Sequence, residues 1–332
     1  MILLPLPALN AYGMHFKKIL LLITWFATLS LTLQAQQEYP YPVKYVTLNA
    51  EQQTFRMAYM DLAPHQANGH TVILFHGKNF NGYYWKDVAR YLSDNGYRVI
   101  IPDQVGWGKS DKPDIHYSFH LLARNNKMLL DTLHISTVIV LGHSMGGMLA
   151  TRFALMYPQS VEKLILEDPI GLEDYKTFVP YTTTDELYKA ELSATYDSYK
   201  KYMQGYFPEW KPEYEELVKQ QAQALTDPTF KQIAWANAVT YQMIYEQPVC
   251  YEFKNITAKT LLITGGADRT IVGKDKVPTQ LLPLHGQYPQ MGAATHRLIK
   301  NSELVEMDGV GHIPHIQQFE NFTKVIGRFL SE

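Results

Sequence analysis

Residues 140–149 read VLGHSMGGML. A run of β-branched and leucine residues stops at Gly142, one serine follows at position 144, and Gly146 and Gly147 open a segment of helical character. A serine set where strand becomes helix is either an ordinary turn residue or a nucleophile. Gly142, Ser144 and Gly146 fit the spacing G-x-S-x-G, in which the serine sits on a tight corner and its neighbours two residues away must lack bulky side chains. The same corner aims the unpaired N–H groups of a helix start at whatever the serine attacks. What surrounds the motif decides between the two readings.

Upstream, VKYVTLNA and TFRMAYMDL are β-rich, TVILFHG is an uninterrupted apolar strand, residues 83–92 follow a helical pattern that stops at Asn95-Gly96, and YRVIIPD is another buried strand. SFHLLARNNKMLLDTLHI is amphipathic at helical spacing, TVIVLGHS is strand, GGMLATRFALMY helix and VEKLILEDPI strand. This alternation predicts an α/β fold: a mostly parallel central sheet with helices on both faces. Near Gly171 the alternation breaks. Residues 172–255 are helical in character and rich in aromatics, among them Tyr188, Tyr199, Tyr202, Tyr206, Trp210 and Trp235, which predicts a helical lid inserted after the sixth strand. KTLLITGGAD resumes the sheet, a long connection follows, and SELVEMDGVGH with a terminal amphipathic helix, HIQQFENFTKVIGRFL, ends the chain. The expected division is a core of residues 36–171 and 256–332 around a cap of residues 172–255.

A serine hydroxyl is a poor nucleophile until a base takes its proton. MDGVGHIPH places His312 in a glycine-flanked loop just after the last strand, and LLITGGADRT places Asp268 at the carboxyl end of the preceding one. The order Ser144, Asp268, His312 is that of a nucleophile, an orienting acid and a base on a sheet of this kind. Asp168, in LEDPIG, is the alternative acid; LEDP reads equally well as turn chemistry into the cap. Asp103 reads as a turn former, and His143 as a packing residue inside the corner. His76 is expected to shape the turn after the third strand. His312 and His315, with His76 or His143, would be needed for a zinc site, but no carboxylate or further histidine motif joins them, so neither metal nor cofactor is expected.

With five motifs in order, the chain resembles the α/β-hydrolase superfamily in its capped, serine-nucleophile branch, over nearly everything from residue 44 onward. HGKNFNGYYW resembles the family's oxyanion turn, PDQVGWGKSDKP its glycine-rich loop, GHSMGG its nucleophile elbow, and GAD and GHIPH its acid and histidine loops. The resemblance implies Ser144 as nucleophile, Asp268 as acid, His312 as base, and the backbone N–H groups of Met145 and Lys78 as oxyanion donors, with Asn79 the alternative to Lys78. It disfavours the dehalogenase and epoxide-hydrolase branches, which carry aspartate at the elbow. The segment between acid and histidine is longer than this branch usually has. The Lys78 side chain has two readings: it leaves toward solvent, or its ammonium serves the site.

The chain has 332 residues, 46% hydrophobic and 19% charged, with a net charge of −2, so nothing points to nucleic acid or an anionic membrane as partner. Lys17 and Lys18 precede an apolar run from residue 19 to about 33, and Ala35 comes before polar Gln36, the pattern of a secretory signal over residues 1–35. The run is shorter than the ~20 residues a spanning helix needs. Met14 is an alternative start. A secreted or periplasmic protein without a stable membrane span, monomeric or homodimeric, is expected. The single cysteine, Cys250, excludes an internal disulfide and reads as a buried, inert thiol. The expected function is hydrolysis of a small to medium carboxylic ester through an acyl-enzyme, with falling activity in acid as the base takes a proton. Amide (iminopeptidase-like) or carbon–carbon cleavage on the same triad is the alternative, and a non-catalytic ligand-binding relative the alternative of another class.

Overall fold

A computed structural model describes residues 39–332, and the signal-peptide reading of residues 1–35 lies outside them. Eight strands form one sheet: β1 (Val43–Ala50), β2 (Gln53–Leu62), β3 (Thr71–Phe75), β4 (Arg98–Pro102), β5 (Val138–His143), β6 (Val161–Glu167), β7 (Lys259–Gly265) and β8 (Ser302–Met307). Their order is β1-β2-β4-β3-β5-β6-β7-β8, and every pairing from β4 to β8 is parallel, while β2 pairs antiparallel with both β1 and β4. Side chains alternate between faces along a strand, and here both faces are covered. Ile73 and Phe75 of β3 join one apolar cluster while Val72 and Leu74 join the other. That two-sided burial is why TVILF carries no polar residue after Thr71.

On one face lie α2 (Phe119–Thr132), started by Ser118, whose hydroxyl accepts the Leu121 N–H, and α3 (Met145–Met156). Phe119, Leu122, Met148 and Phe153 seal it. The other face receives α1 (Lys86–Asp94) and α10 (Phe319–Ser331) through Val88, Leu92, Phe322, Ile326 and Phe329. Between β6 and β7 come four helices, α4 (Thr184–Leu192), α5 (Tyr196–Gln204), α6 (Glu215–Ala222) and α7 (Phe230–Glu246). Capping boxes at Thr183–Glu186 and Thr195–Ser198 start the first two.

Three features differ from the sequence-based expectation. The connection from β7 to β8 contains a helix, α8 (Tyr288–Leu298), whose Gly292 lies so close to Thr264 that a Cβ there would stand 2.9 Å from its methyl group. The terminal helix is two, because a break at Gln318 separates α9 (Pro314–Gln317) from α10. The rest of the β7–β8 connection turns back on the start of the helical segment. His285 stacks on Phe178 at 3.6 Å, and Glu173 accepts from His285 (2.9 Å) and from the Gly286 N–H. Cys250 is half-buried rather than buried, and desolvation pushes its thiol pKa up. Among the described residues no helix is long and apolar enough to cross a membrane.

β3 connects outward to β4 in one direction and β5 builds the sheet in the other, so the strand order reverses between β3 and β5. At such a reversal the loops leaving two adjacent carboxyl ends diverge and open a crevice. His76, Gly77 and Lys78 follow β3, and Ser144 follows β5.

Candidate active site

Ser144 has φ 56° and ψ −120°, a left-handed conformation that costs a non-glycine residue about 1–3 kcal/mol. Surrounding bonds hold it: its N–H donates to Glu167 O (3.1 Å), and its carbonyl accepts from Gly147 (2.8 Å) and Ile170 (3.2 Å). The flanking glycines are required by contact. A Cβ on Gly142 would lie 2.1 Å from the Gly146 carbonyl oxygen, and one on Gly146 would lie 2.1 Å from that of Phe75. Any side chain there would drive the corner apart. Met145 is the first residue of α3, so its N–H belongs to the set that a helix start leaves without an internal acceptor.

The structure brings Ser144, Asp268 and His312 together. His312 Nε2 lies 2.9 Å from Ser144 Oγ, and His312 Nδ1 lies 2.6 Å from Asp268 Oδ2. The imidazole is 0% exposed, Asp268 2% and Ser144 5%. A carboxylate at Nδ1 assigns the ring proton to that nitrogen, which leaves the Nε2 lone pair for the serine hydroxyl. Asp268 Oδ1 accepts the Thr270 N–H (2.8 Å), which fixes the carboxylate on its turn.

Asp168, the other acid considered, does not meet the imidazole. At φ 35° it turns its Oδ1 to the Gly265 N–H (2.8 Å), at the end of the strand that carries Asp268. Burial, and then the nearby Asp268 charge, push its carboxyl pKa well above the usual range. Its part is to hold the end of β7. Asp103 is a buried loop organiser, accepting from the Gly82 and Lys109 N–H groups and from the Tyr39 hydroxyl.

The turn after β3 is fastened at three points. Tyr84 accepts the Gly77 N–H (2.9 Å), His76 Nδ1 lies 2.9 Å from Gly77 O, and Trp107 Nε1 donates to Lys78 O (2.5 Å). His76 Nε2 accepts the Gln104 N–H, so its ring is neutral with the proton on Nδ1, and burial lowers its pKa accordingly. The Lys78 side chain does not leave toward solvent. It is 13% exposed and its ammonium lies 3.7 Å from Glu191 of α4, whose other oxygen accepts from Asn237 of α7 (3.1 Å). The Asn79 side chain donates to the Tyr206 hydroxyl (3.0 Å).

Tyr206 was legible only as one aromatic among many. Its ring lies 4.7 Å from that of His312, and its carbonyl accepts the His312 N–H (2.8 Å). Glu167 and His315 form a second buried pair beside the site: Glu167 Oε1 accepts both the His315 N–H (2.8 Å) and lies 2.9 Å from its Nδ1. The spacing of His315 three residues after His312 is legible in the sequence; its pairing with Glu167, one position before Asp168, is not. Among the described residues no group of three or more His, Cys, Asp or Glu side chains is arranged to hold a metal.

A carboxylate, an imidazole and a serine on a strained strand-to-helix corner thus meet at the switch point of this mostly parallel sheet. Comparison with known proteins agrees at the level of the family. Residues 70–319 match the model of the alpha/beta hydrolase fold, and the chain belongs to that family. A probable hydrolytic enzyme from Pseudomonas aeruginosa PAO1 is 43% identical, with a TM-score of 0.86 over 88% of this chain and 95% of that one. A 2-hydroxy-6-oxononadienedioate/2-hydroxy-6-oxononatrienedioate hydrolase from Paraburkholderia phymatum is 38% identical over 144 residues, 42% of this chain and 49% of that one. An esterase from Exiguobacterium antarcticum shares the fold at 21% identity, with a TM-score of 0.67 over 87% of this chain and all of that one. The chain spans between about a third and a half of the length of the curated relatives it matches, 36% for a Mycobacterium tuberculosis protein and 49% for the Paraburkholderia one.

Proposed function

We propose that the chain is a serine hydrolase that cleaves a carboxylic ester of small to medium size by way of an acyl-enzyme. The observation that carries this reading is the series Asp268–His312–Ser144, with 2.6 and 2.9 Å between successive groups. Ser144 Oγ attacks the ester carbonyl while His312 Nε2 takes its proton, and Asp268 stabilises the imidazolium that forms. The N–H groups of Met145 and Lys78 hold the oxyanion, each worth about 10²–10³ in rate. His312 returns the proton to the departing alcohol, and water repeats the sequence to release the acid. Residues 172–255 act as a cap, and the basic and apolar pattern of residues 17–35 supports export.

A fluorophosphonate probe tests the nucleophile. Labelling at Ser144, abolished in Ser144→Ala, is the expected result; an unlabelled wild-type serine overturns the reading. A panel of p-nitrophenyl acyl esters set against aminoacyl amides then separates esterase from peptidase. The similarity to the Paraburkholderia dioate hydrolase favours one second reading, carbon–carbon cleavage of a vinylogous diketone by the same three residues. Turnover of such a diketone with inert esters would select it.

A further inference from the structure

Three hydrogen bonds run in series from the turn after β3 to the histidine loop. The Gly77 N–H donates to the Tyr84 hydroxyl (2.9 Å), that hydroxyl lies 3.1 Å from His143 Nδ1, and His143 Nε2 lies 2.7 Å from the His312 carbonyl oxygen. A carbonyl only accepts, so His143 carries its proton on Nε2. Nδ1 is then the acceptor and Tyr84 its donor, and donation runs in one direction through the whole series. Each link in the series is buried. Burial, followed by the neighbouring His312 and His315 rings, keeps the His143 pKa well below its ordinary value, and burial keeps the Tyr84 hydroxyl well above its own. Both side chains therefore stay neutral.

The two ends of the series are what give it meaning. Gly77 precedes Lys78, the residue whose N–H faces the oxyanion in the reading above, and a Cβ on Gly77 would stand 3.1 Å from His143 and 3.2 Å from Ser144. The other end is the main chain of the base itself. Asp268 fixes the rotation of the His312 ring but not the position of its backbone. That position is set by two bonds, the N–H to Tyr206 O and the carbonyl from His143. A misplacement of about 1 Å costs ~10²-fold in rate, so a rigid span between base and oxyanion turn matters to the chemistry. His143 must also be neutral for this role. Its ring lies 5.0 Å from that of His312, and a second cation there would oppose the imidazolium formed in acyl transfer.

The geometry points to Tyr84 and His143 as a positioning pair, a neutral hydrogen-bonded strut that sets the distance between the oxyanion turn and the catalytic base; this rests on the hydrolase reading above. A packing role for His143, among the rings of Phe80, Tyr84 and Trp85, predicts something different. In an apolar surround, leucine would then replace it at least as well as glutamine does. A strut requires a donor to the His312 carbonyl, which glutamine keeps and leucine lacks.

The test compares wild type, Tyr84→Phe, His143→Gln and His143→Leu in fluorophosphonate labelling rate and in kcat and KM for p-nitrophenyl butyrate. Expected are losses of about 10²-fold in labelling rate and kcat for Tyr84→Phe and His143→Leu, with KM little changed. His143→Gln is expected to recover to within about tenfold of wild type, the donor to the carbonyl being restored. A His143→Leu protein that labels as fast as His143→Gln overturns the strut in favour of packing. Tyr84→Phe removes one oxygen atom and decides the matter alone if the His143 variants fail to fold: wild-type rates in that variant overturn the proposal. An unlabelled wild-type Ser144 overturns the hydrolase reading instead, and this inference with it.

Discussion

Two histidine–carboxylate pairs lie three residues apart in the chain, and both are buried. His312 meets Asp268 at 2.6 Å and His315 meets Glu167 at 2.9 Å, each through Nδ1. They differ in what the second ring nitrogen finds. For His312 it is the hydroxyl of a strained serine, 2.9 Å away. For His315 it is no polar partner among the described residues, and the ring lies stacked on Trp85 at 4.3 Å. Glu167 also receives the His315 backbone N–H, so this pair fastens the histidine loop to the end of β6. What distinguishes the two imidazoles is therefore the group presented to the far nitrogen, a serine hydroxyl in one case and an apolar surround in the other.

The largest test of that contrast is to remove each histidine. His312→Ala should lower kcat by at least about 10⁴-fold, as should Ser144→Ala, with unchanged circular dichroism. His315→Ala should leave each folded molecule active but remove one of the two donors to the buried Glu167 Oε1, at a cost of about 1–3 kcal/mol in urea unfolding. A folded His315→Ala protein as inactive as His312→Ala would erase the distinction.

The two aspartates sharpen it. Asp268→Asn should cost about 10⁴-fold in kcat by favouring the wrong imidazole tautomer. Asp168→Asn should leave kcat near wild type, since the amide still offers Gly265 an acceptor, and should change the pH dependence of stability. The fold raises the Asp168 pKa, so the native state binds a proton that the unfolded chain releases above about pH 4. That contribution is complete below the unfolded value and is lost as pH rises through the folded one. The asparagine variant should therefore gain on wild type in melting temperature as pH rises above about 4; parallel curves would contradict the raised carboxyl pKa. The smallest effect belongs to Glu191→Gln, which loosens the Lys78 contact. Both side chains are partly exposed, so the loss should be within about 1 kcal/mol. Differential scanning calorimetry of the variant measures it.

The parts of this architecture that are written locally were readable beforehand. Strands buried on both faces, such as TVILF, announce themselves as unbroken apolar runs, and the G-x-S-x-G corner is a backbone requirement expressed in five consecutive positions. Asp268 and His312 were legible because each follows a strand end in a glycine-containing loop. Tyr206, Tyr84 and the His315–Glu167 pair were not, because the contacts Tyr84–His143, Tyr206–His312 and Glu167–His315 span 59 to 148 positions and nothing local marks them. Tyr206 acts through its carbonyl, which every residue has. Lys78 could be named but not oriented, since Glu191 arrives from a helix whose docking no local pattern encodes. The helix α8 was hidden because the residues it buries, Tyr288, Gly292 and Thr295, include almost no apolar side chain to mark the inward face.

The main-chain bond from His312 to Tyr206 ties the proposed base to the inserted helices whatever side chain stands at 206. Truncating the insertion, or swapping it for one from a relative to borrow its selectivity, would therefore unseat the imidazole at 312 even with Ser144, Asp268 and His312 all intact. A successful graft has to bring its own carbonyl oxygen to that point in space.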